Sequence, residues 1–318
     1  MSMGVSTRLF RRLLDDAAVF PPGLAPVEVA VAEFRQRRTG PYAELVGPLL
    51  IGAGAVGDLI DVLRGDQTTG AGAVDPRTAP LEVGLIARRG TPPGVLGEAV
   101  RRLTDEVPGE VVLTGVEVAH GPGWRDALDL GLPVAVEVDS SLEHLVPQLA
   151  EVAGAASAGH RVRAKLRTQS TPDTPLPPPP VLGGFLLACV RRDLPFKLTG
   201  GLHHAVRTEV ALAGGGTEVQ HGLLNVLLAT DIAEEHARGA VAGSDAEGGT
   251  ALERVVSTLT EDDADWLVQR TADLTEDQVS GLRSHFTSYG CCGVLDPIGE
   301  LTSLNLLAVR PPTDPIHP

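Results

Sequence analysis

The chain has 318 residues, 43% of them hydrophobic, and a formal net charge of −15. That length suits one large domain or two small ones. The acidic balance argues against binding to nucleic acid or an anionic membrane, whose phosphates need a basic surface. Aromatic residues make up only 3%, so Leu, Val and Ala must fill the core.

From the N-terminus, residues 1–20 carry arginines but no uninterrupted apolar run, which is not the pattern of a secretory signal. No later stretch is long and uncharged enough to span a bilayer. Strands are expected at 17–20 (AAVF), 47–54, 81–87, 111–119, 133–139, 161–168, 195–200 and 285–290. Most are apolar runs with little alternation, as in parallel strands covered on both faces. Helical patterns separate them: one after Gly54 with Asp58 as its expected cap, then 93–107, 140–156 and 181–193. In the third, Ser140 or Ser141 can cap and Pro147 should kink or restart the helix. Residues 223–230 read as a strand or as the start of a helix ending near Arg238, and 239–285 read as mostly helical.

Eight strands, most followed by a helix, predict a single-domain α/β fold over 1–318, a (β/α)8 TIM-type barrel with a long helical segment before its last strand. An open doubly wound sheet is the competing architecture. The proline-rich run TQSTPDTPLPPPP (168–180) cannot be helix or central strand and would lie on the catalytic face of a barrel. Residues 240–250 read as a surface linker. The three cysteines, Cys189, Cys291 and Cys292, form no disulfide framework, so a reducing cytoplasm is expected.

The most informative feature is scarcity. Only Lys165 and Lys197 occur, against twenty-four arginines, where average usage would give roughly a dozen or more lysines. Lysine can lose its proton and attack a carbonyl; arginine cannot. The two lie thirty-two residues apart, about one barrel repeat, at the ends of the expected sixth and seventh strands. Ammonium groups on neighbouring strands about 4.8 Å apart should repel, and repulsion with desolvation would lower a lysine's pKa toward nucleophilic use. Pairing with Glu137 or Asp139 would do the opposite. Codon bias with two chance survivors is the plain alternative.

The segments AKLRTQST and FKLTGGL resemble the two lysine segments of deoxyribose-phosphate aldolase and related class I aldolase barrels, over about twenty residues. The resemblance implies that Lys165 forms an imine, that Lys197 tunes it, and that the backbone amides of Gly200 and Gly201 receive an anion. The proline-rich run replaces that family's small-residue loop, and the His-His pair after Gly201 is not part of its pattern. Segments such as LLDDAAVFPPG and GLHH also resemble an uncharacterised family of bacterial barrel proteins, which implies no function.

Other polar residues gather at strand ends. Glu137 and Asp139 are two apart and would share a side of their strand, as proton relay or lysine partners; Glu117 and His120 make a weaker version of this pair. His203, His204 and His221 offer acid–base chemistry or, with Glu137, ligands for a divalent metal; solvated loop histidines are the alternative. Arg167 joins the lysines and Arg207 in a local positive cluster, and Arg207 could grip a carboxylate. Tyr289 and Cys291–Cys292 border a glycine-rich turn able to cradle an anion, but the sequence shows no partner that would activate a cysteine. The lone GxGxxG match at Gly52, Gly54 and Gly57 is weak support for a nicotinamide cofactor. Asp15 and Asp16 could enter from the first strand, but an acidic pair at a helix C-terminus is less tidy electrostatically than a basic one, and no clear role follows for them.

The expectation is a cofactor-independent lyase of class I aldolase type. Lys165, Lys197, Glu137, Asp139 and His203 would carry the chemistry; Arg167, Gly200, Gly201, His204, Arg207 and Tyr289 would bind the substrate. The partner would be a small carbonyl compound, an anionic one being allowed, with a homo-oligomer left open. The alternatives are a metal-dependent isomerase, lyase or hydrolase using His203, His204, His221 and Glu137, and a noncatalytic small-molecule-binding barrel.

Overall fold

The structure is a computed structural model that describes residues 7–68, 79–171, 174–211, 215–241 and 250–307. The apolar runs form strands β1 (Leu14–Asp16), β2 (Val46–Gly52), β3 (Leu81–Ala87), β4 (Val111–Ala119), β5 (Val134–Glu137), β6 (Val162–Arg167) and β7 (Phe196–Thr199). A two-stranded hairpin, β8 (Thr208–Ala211) with β9 (Thr217–Gln220), comes next, and β10 (Phe286–Cys291) is last. The parallel strands close into a barrel in the order β1-β10-β7-β6-β5-β4-β3-β2, with β8 and β9 antiparallel outside it. This is a (β/α)8 barrel, as the alternation of strands and helices predicts. The open sheet is overturned, because β1 pairs with both β2 and β10.

Helices α1 (Val27–Thr39), α2 (Val56–Thr68), α3 (Val95–Glu106), α4 (Leu142–Ser157) and α5 (Pro179–Val190) follow strands β1, β2, β3, β5 and β6. A 3-10 segment, Trp124–Leu130, stands between β4 and β5. Then come α6 (Leu223–Val241), α7 (Ala251–Thr260), α8 (Ala264–Ala272), α9 (Glu276–His285) and α10 (Leu295–Ser303). Residues 223–230 are therefore helix. Their run is apolar all round because α6 is buried, and periodicity alone cannot separate that from a central strand. The helical reading of 239–285 holds for α7 to α9. Their starts are written locally: Thr250 and Thr275 make capping boxes with Glu253 and Gln278, and Asp263 caps α8. Of the expected linker 240–250, residues 242–249 lie outside the described residues.

Two boundaries differ from expectation. The first strand is Leu14–Asp16, not 17–20, because the Phe20 N–H turns back to the Ala17 carbonyl and two prolines follow. Asp58 lies inside the first turn of α2 instead of capping it. Pro147 sits within a single helix, α4.

Outside the barrel wall, Phe196 stacks on Phe286 at 5.3 Å between centroids and meets Phe185 of α5 edge-on at 5.4 Å. All three are fully buried in a core made mostly of Leu, Val and Ala. Phe196→Ala is expected to lower unfolding free energy by about 3–5 kcal/mol, measured by denaturant titration.

Candidate active site

Strand alternation sends Lys165 of β6 and Lys197 of β7 into the barrel, where they are register partners. They are 2% and 0% exposed. They do not face each other bare. Glu117 of β4 stands between them, with Oε2 2.6 Å from Lys165 Nζ and Oε1 2.5 Å from Lys197 Nζ. Lys165 also meets Glu137 of β5 at 2.9 Å, and Lys197 meets Asp15 of β1 at 2.6 Å. Ser288 of β10 donates to Asp15 at 2.8 Å, and Arg167 reaches Glu137 at 3.3 Å. Three cations thus alternate with three carboxylates, the condition under which charges tolerate burial. Gly47 on β2 makes room for this, because a Cβ there would collide with Asp15 Oδ1.

The expected lowering of lysine pKa is overturned. Burial alone would lower Lys165, but Glu117 and Glu137 outweigh it and hold the ammonium above its ordinary range. Burial would raise Glu117 and Glu137, but the cations beside them keep both below the usual carboxylate range. Lysine–lysine repulsion does not act unopposed, because Glu117 shares one oxygen with each.

Above Lys165 opens a cavity of about 560 Å³ at the carboxyl ends of the strands, where barrel enzymes place their sites. Lys165 and Glu137 lie at its inner end; Arg88, Arg89 and Arg167 line it, and Lys197 does not. Ala17, Leu50 and Ile86, with Phe20 packed on them, form a small apolar cluster along its wall. Arg88 lies 4.7 Å over the Phe20 ring. Burial lowers its pKa, as does the charge of Arg167, with Glu137 opposing. Gln169, Ser170, Thr171 and Thr174 from the proline-rich run also line the cavity, on the face expected for it.

Several expected site residues stand elsewhere. Asp139 lies beyond the last residue of β5, so the alternation that would pair it with Glu137 has ended; it accepts from the Ser141 N–H. Gly200 does line the cavity, but its N–H is spent on the Gly290 carbonyl; Gly201 packs against Thr168 and does not line it. Tyr289 is fully buried in the core, where burial pushes its phenol well up. The Arg207 N–H is held by Asn225, and Arg207 does not line the cavity.

The alternative metal donors are dispersed. His203 Nδ1 lies 3.0 Å from Asp296, His204 Nδ1 lies 2.7 Å from Glu300, and His221 Nε2 bonds the Pro177 carbonyl at 2.8 Å. Glu137 is engaged by Lys165 and Arg167. Among the described residues, no three His, Cys, Asp or Glu side chains converge as a metal site.

Sequence reasoning missed Asp15, underweighted Glu117 and passed over Arg88 and Arg89. Shifting the first strand by three residues hid Asp15. The arginines directly follow the third strand, a position that could have flagged them.

No family model matches the chain, and no curated protein shows significant similarity to it. Among the described residues, no helix is long and apolar enough to cross a membrane.

The buried network sets a pH dependence. Glu117 and Glu137 titrate below their ordinary value when folded, so the stability they contribute is present above about pH 4.3 and is lost as pH falls through their lower folded values. Lys165 titrates higher when folded, so its contribution is complete below about pH 10.4 and is lost as pH rises through its folded value. Glu117→Gln is expected to destabilise by about 3–5 kcal/mol and to flatten the acid limb, read from chemical denaturation between pH 3 and pH 7.

Proposed function

We propose that the chain is a lyase of class I aldolase type, acting on a small anionic carbonyl compound through an imine on Lys165. The observation that carries this reading is one primary amine bordering a cavity and ion-paired at 2.6 and 2.9 Å with two carboxylates able to take its proton. Lys165, not Lys197, is the nucleophile, because only Lys165 borders the cavity. Arg88, Arg89 and Arg167 give the cavity an excess of positive charge, which favours a substrate bearing carboxylate or phosphate.

The resting amine is an ammonium, so the first step is proton transfer from Lys165 to Glu117 or Glu137. A substrate anion on Arg167 would compete for the guanidinium that Glu137 now shares. The freed amine adds to the carbonyl carbon, water leaves, and the iminium accepts electrons as a carbon–carbon bond breaks or forms. Glu137, part-exposed at the cavity, moves protons to and from the substrate. Glu117 stays fixed between the lysines, and Lys197 holds its far oxygen.

Borohydride added with carboxylated or phosphorylated aldehydes and ketones is expected to fix a substrate fragment on the Lys165 peptide, read by mass spectrometry, and Lys165→Arg abolishes it. Absence of any adduct across such a panel overturns the imine. Arg88→Met is expected to raise the half-saturating concentration of an anionic compound by about 10–100-fold, the loss of one charge-assisted contact, while a neutral compound is unaffected.

The raised pKa of Lys165 favours one other reading. A permanent ammonium would polarise the carbonyl while Glu137 removes the adjacent C–H proton, giving an isomerase without an imine. Exchange of that hydrogen with deuterated water in the absence of borohydride trapping would select it.

A further inference from the structure

The end of β10 carries a second reactive group that the lysine chemistry does not use. Cys292 Sγ lies 3.3 Å from His203 Nε2, and His203 Nδ1 lies 3.0 Å from Asp296 Oδ2. The imidazole therefore faces a thiol with one nitrogen and a carboxylate with the other, the order in which a base is oriented to activate a nucleophile. Cys292 lines the same cavity as Lys165.

The local chain builds this arrangement. Gly200, Gly201 and Leu202 have φ of 69°, 68° and 52°, a left-handed turn that a leucine adopts only under constraint. Leu202 is fully buried, which anchors the turn and presents His203 to the end of β10. Asp296 lies in the first turn of α10 and folds back over Gly293, where a Cβ would collide with its Oδ2. The neighbouring thiol is unsuited to the role. Cys291 is fully buried, burial pushes its thiol up, and it lies 3.7 Å from His203. Hydrogen bonds to the two sulfurs push the His203 pKa up to about 11 against the opposing effect of burial.

We propose that Cys292, activated by His203 and oriented through Asp296, is a nucleophilic thiol site for small anionic carbonyl compounds entering the cavity. The thiol proton passes to His203 Nε2. The sulfur lone pair forms a bond to the carbonyl carbon, the C=O π pair moves to oxygen, and that oxygen recovers the proton from His203. The product is a hemithioacetal, formed without oxidant or reductant and reversed by the same steps. The ligand class rests on the cavity charge invoked for the lyase reading, whereas activation of the thiol stands on its own geometry.

Alkylation tests it with iodoacetate and iodoacetamide as probes, each adding a carbon to sulfur with loss of iodide. The groups facing the pair are Asp296 from α10 and Cys291 from β10; His204 alongside is tied to Glu300. At pH 6.5 Cys292 is expected to react at least tenfold faster than Cys189, Cys291 or free glutathione, by peptide mass mapping. Iodoacetate should outpace iodoacetamide there, the reverse of their order with glutathione. His203→Gln should slow Cys292 at least tenfold at pH 6.5 and little at pH 9.5, where a free thiol ionises unaided. Asp296→Asn, a milder change at an exposed side chain, should slow it several-fold and serves if His203→Gln does not fold. A Cys292 rate no greater than that of glutathione, or one unchanged in both variants, overturns the thiol site. Iodoacetamide outpacing iodoacetate overturns the anionic class. A reactive Cys292 with no borohydride adduct removes the lyase reading alone, and the reverse result removes the thiol alone.

Discussion

Glu117 is the constraint on which the site depends. A carboxylate with one oxygen on each lysine turns two mutually repelling cations into a connected chain, Asp15–Lys197–Glu117–Lys165–Glu137–Arg167. Each internal charge is compensated from both sides, so neither ammonium needs water. Removing any internal member leaves a buried charge unmatched, which is why such networks are brittle to single substitutions even when their net stability contribution is small.

Stability is a poor reason for the network to exist. Apolar side chains of similar volume would fill a barrel interior at least as well, and the rest of this interior does so. The polar chain runs across β1, β4, β5, β6 and β7, while β2 and β3 present Leu50 and Ile86 to the cavity wall. One side of the barrel is therefore electrostatic and the other apolar. A bound molecule with a charged end and a short carbon skeleton would meet both.

The barrel was legible because each parallel strand, buried on both faces, is an apolar run broken by glycine, proline or charge. Seven of the eight strands fall within two residues of their expected limits. The exception is β1, where Leu14–Asp16 has one apolar residue and two acids, buried against the paired Lys197 and Arg37. Scarcity of lysine singled out two residues that the barrel sets side by side, but the protonation of Lys165 was misjudged because Glu117 comes from a strand forty-eight residues earlier and leaves no local trace. The three histidines could not be told apart in the sequence for a related reason. Adjacency in sequence gave no hint that His203 would turn toward the end of β10 while His204 reached Glu300 of α10.

Lys197 is sealed inside the barrel and does not line the cavity, whereas Lys165 borders it, and the sequence holds no other lysine. Amine-directed crosslinkers and acylating labels would find arginine surfaces they cannot modify. Incorporation of such a label at Lys197 would register the barrel coming open, so the chain carries its own chemical counter for conformational excursions.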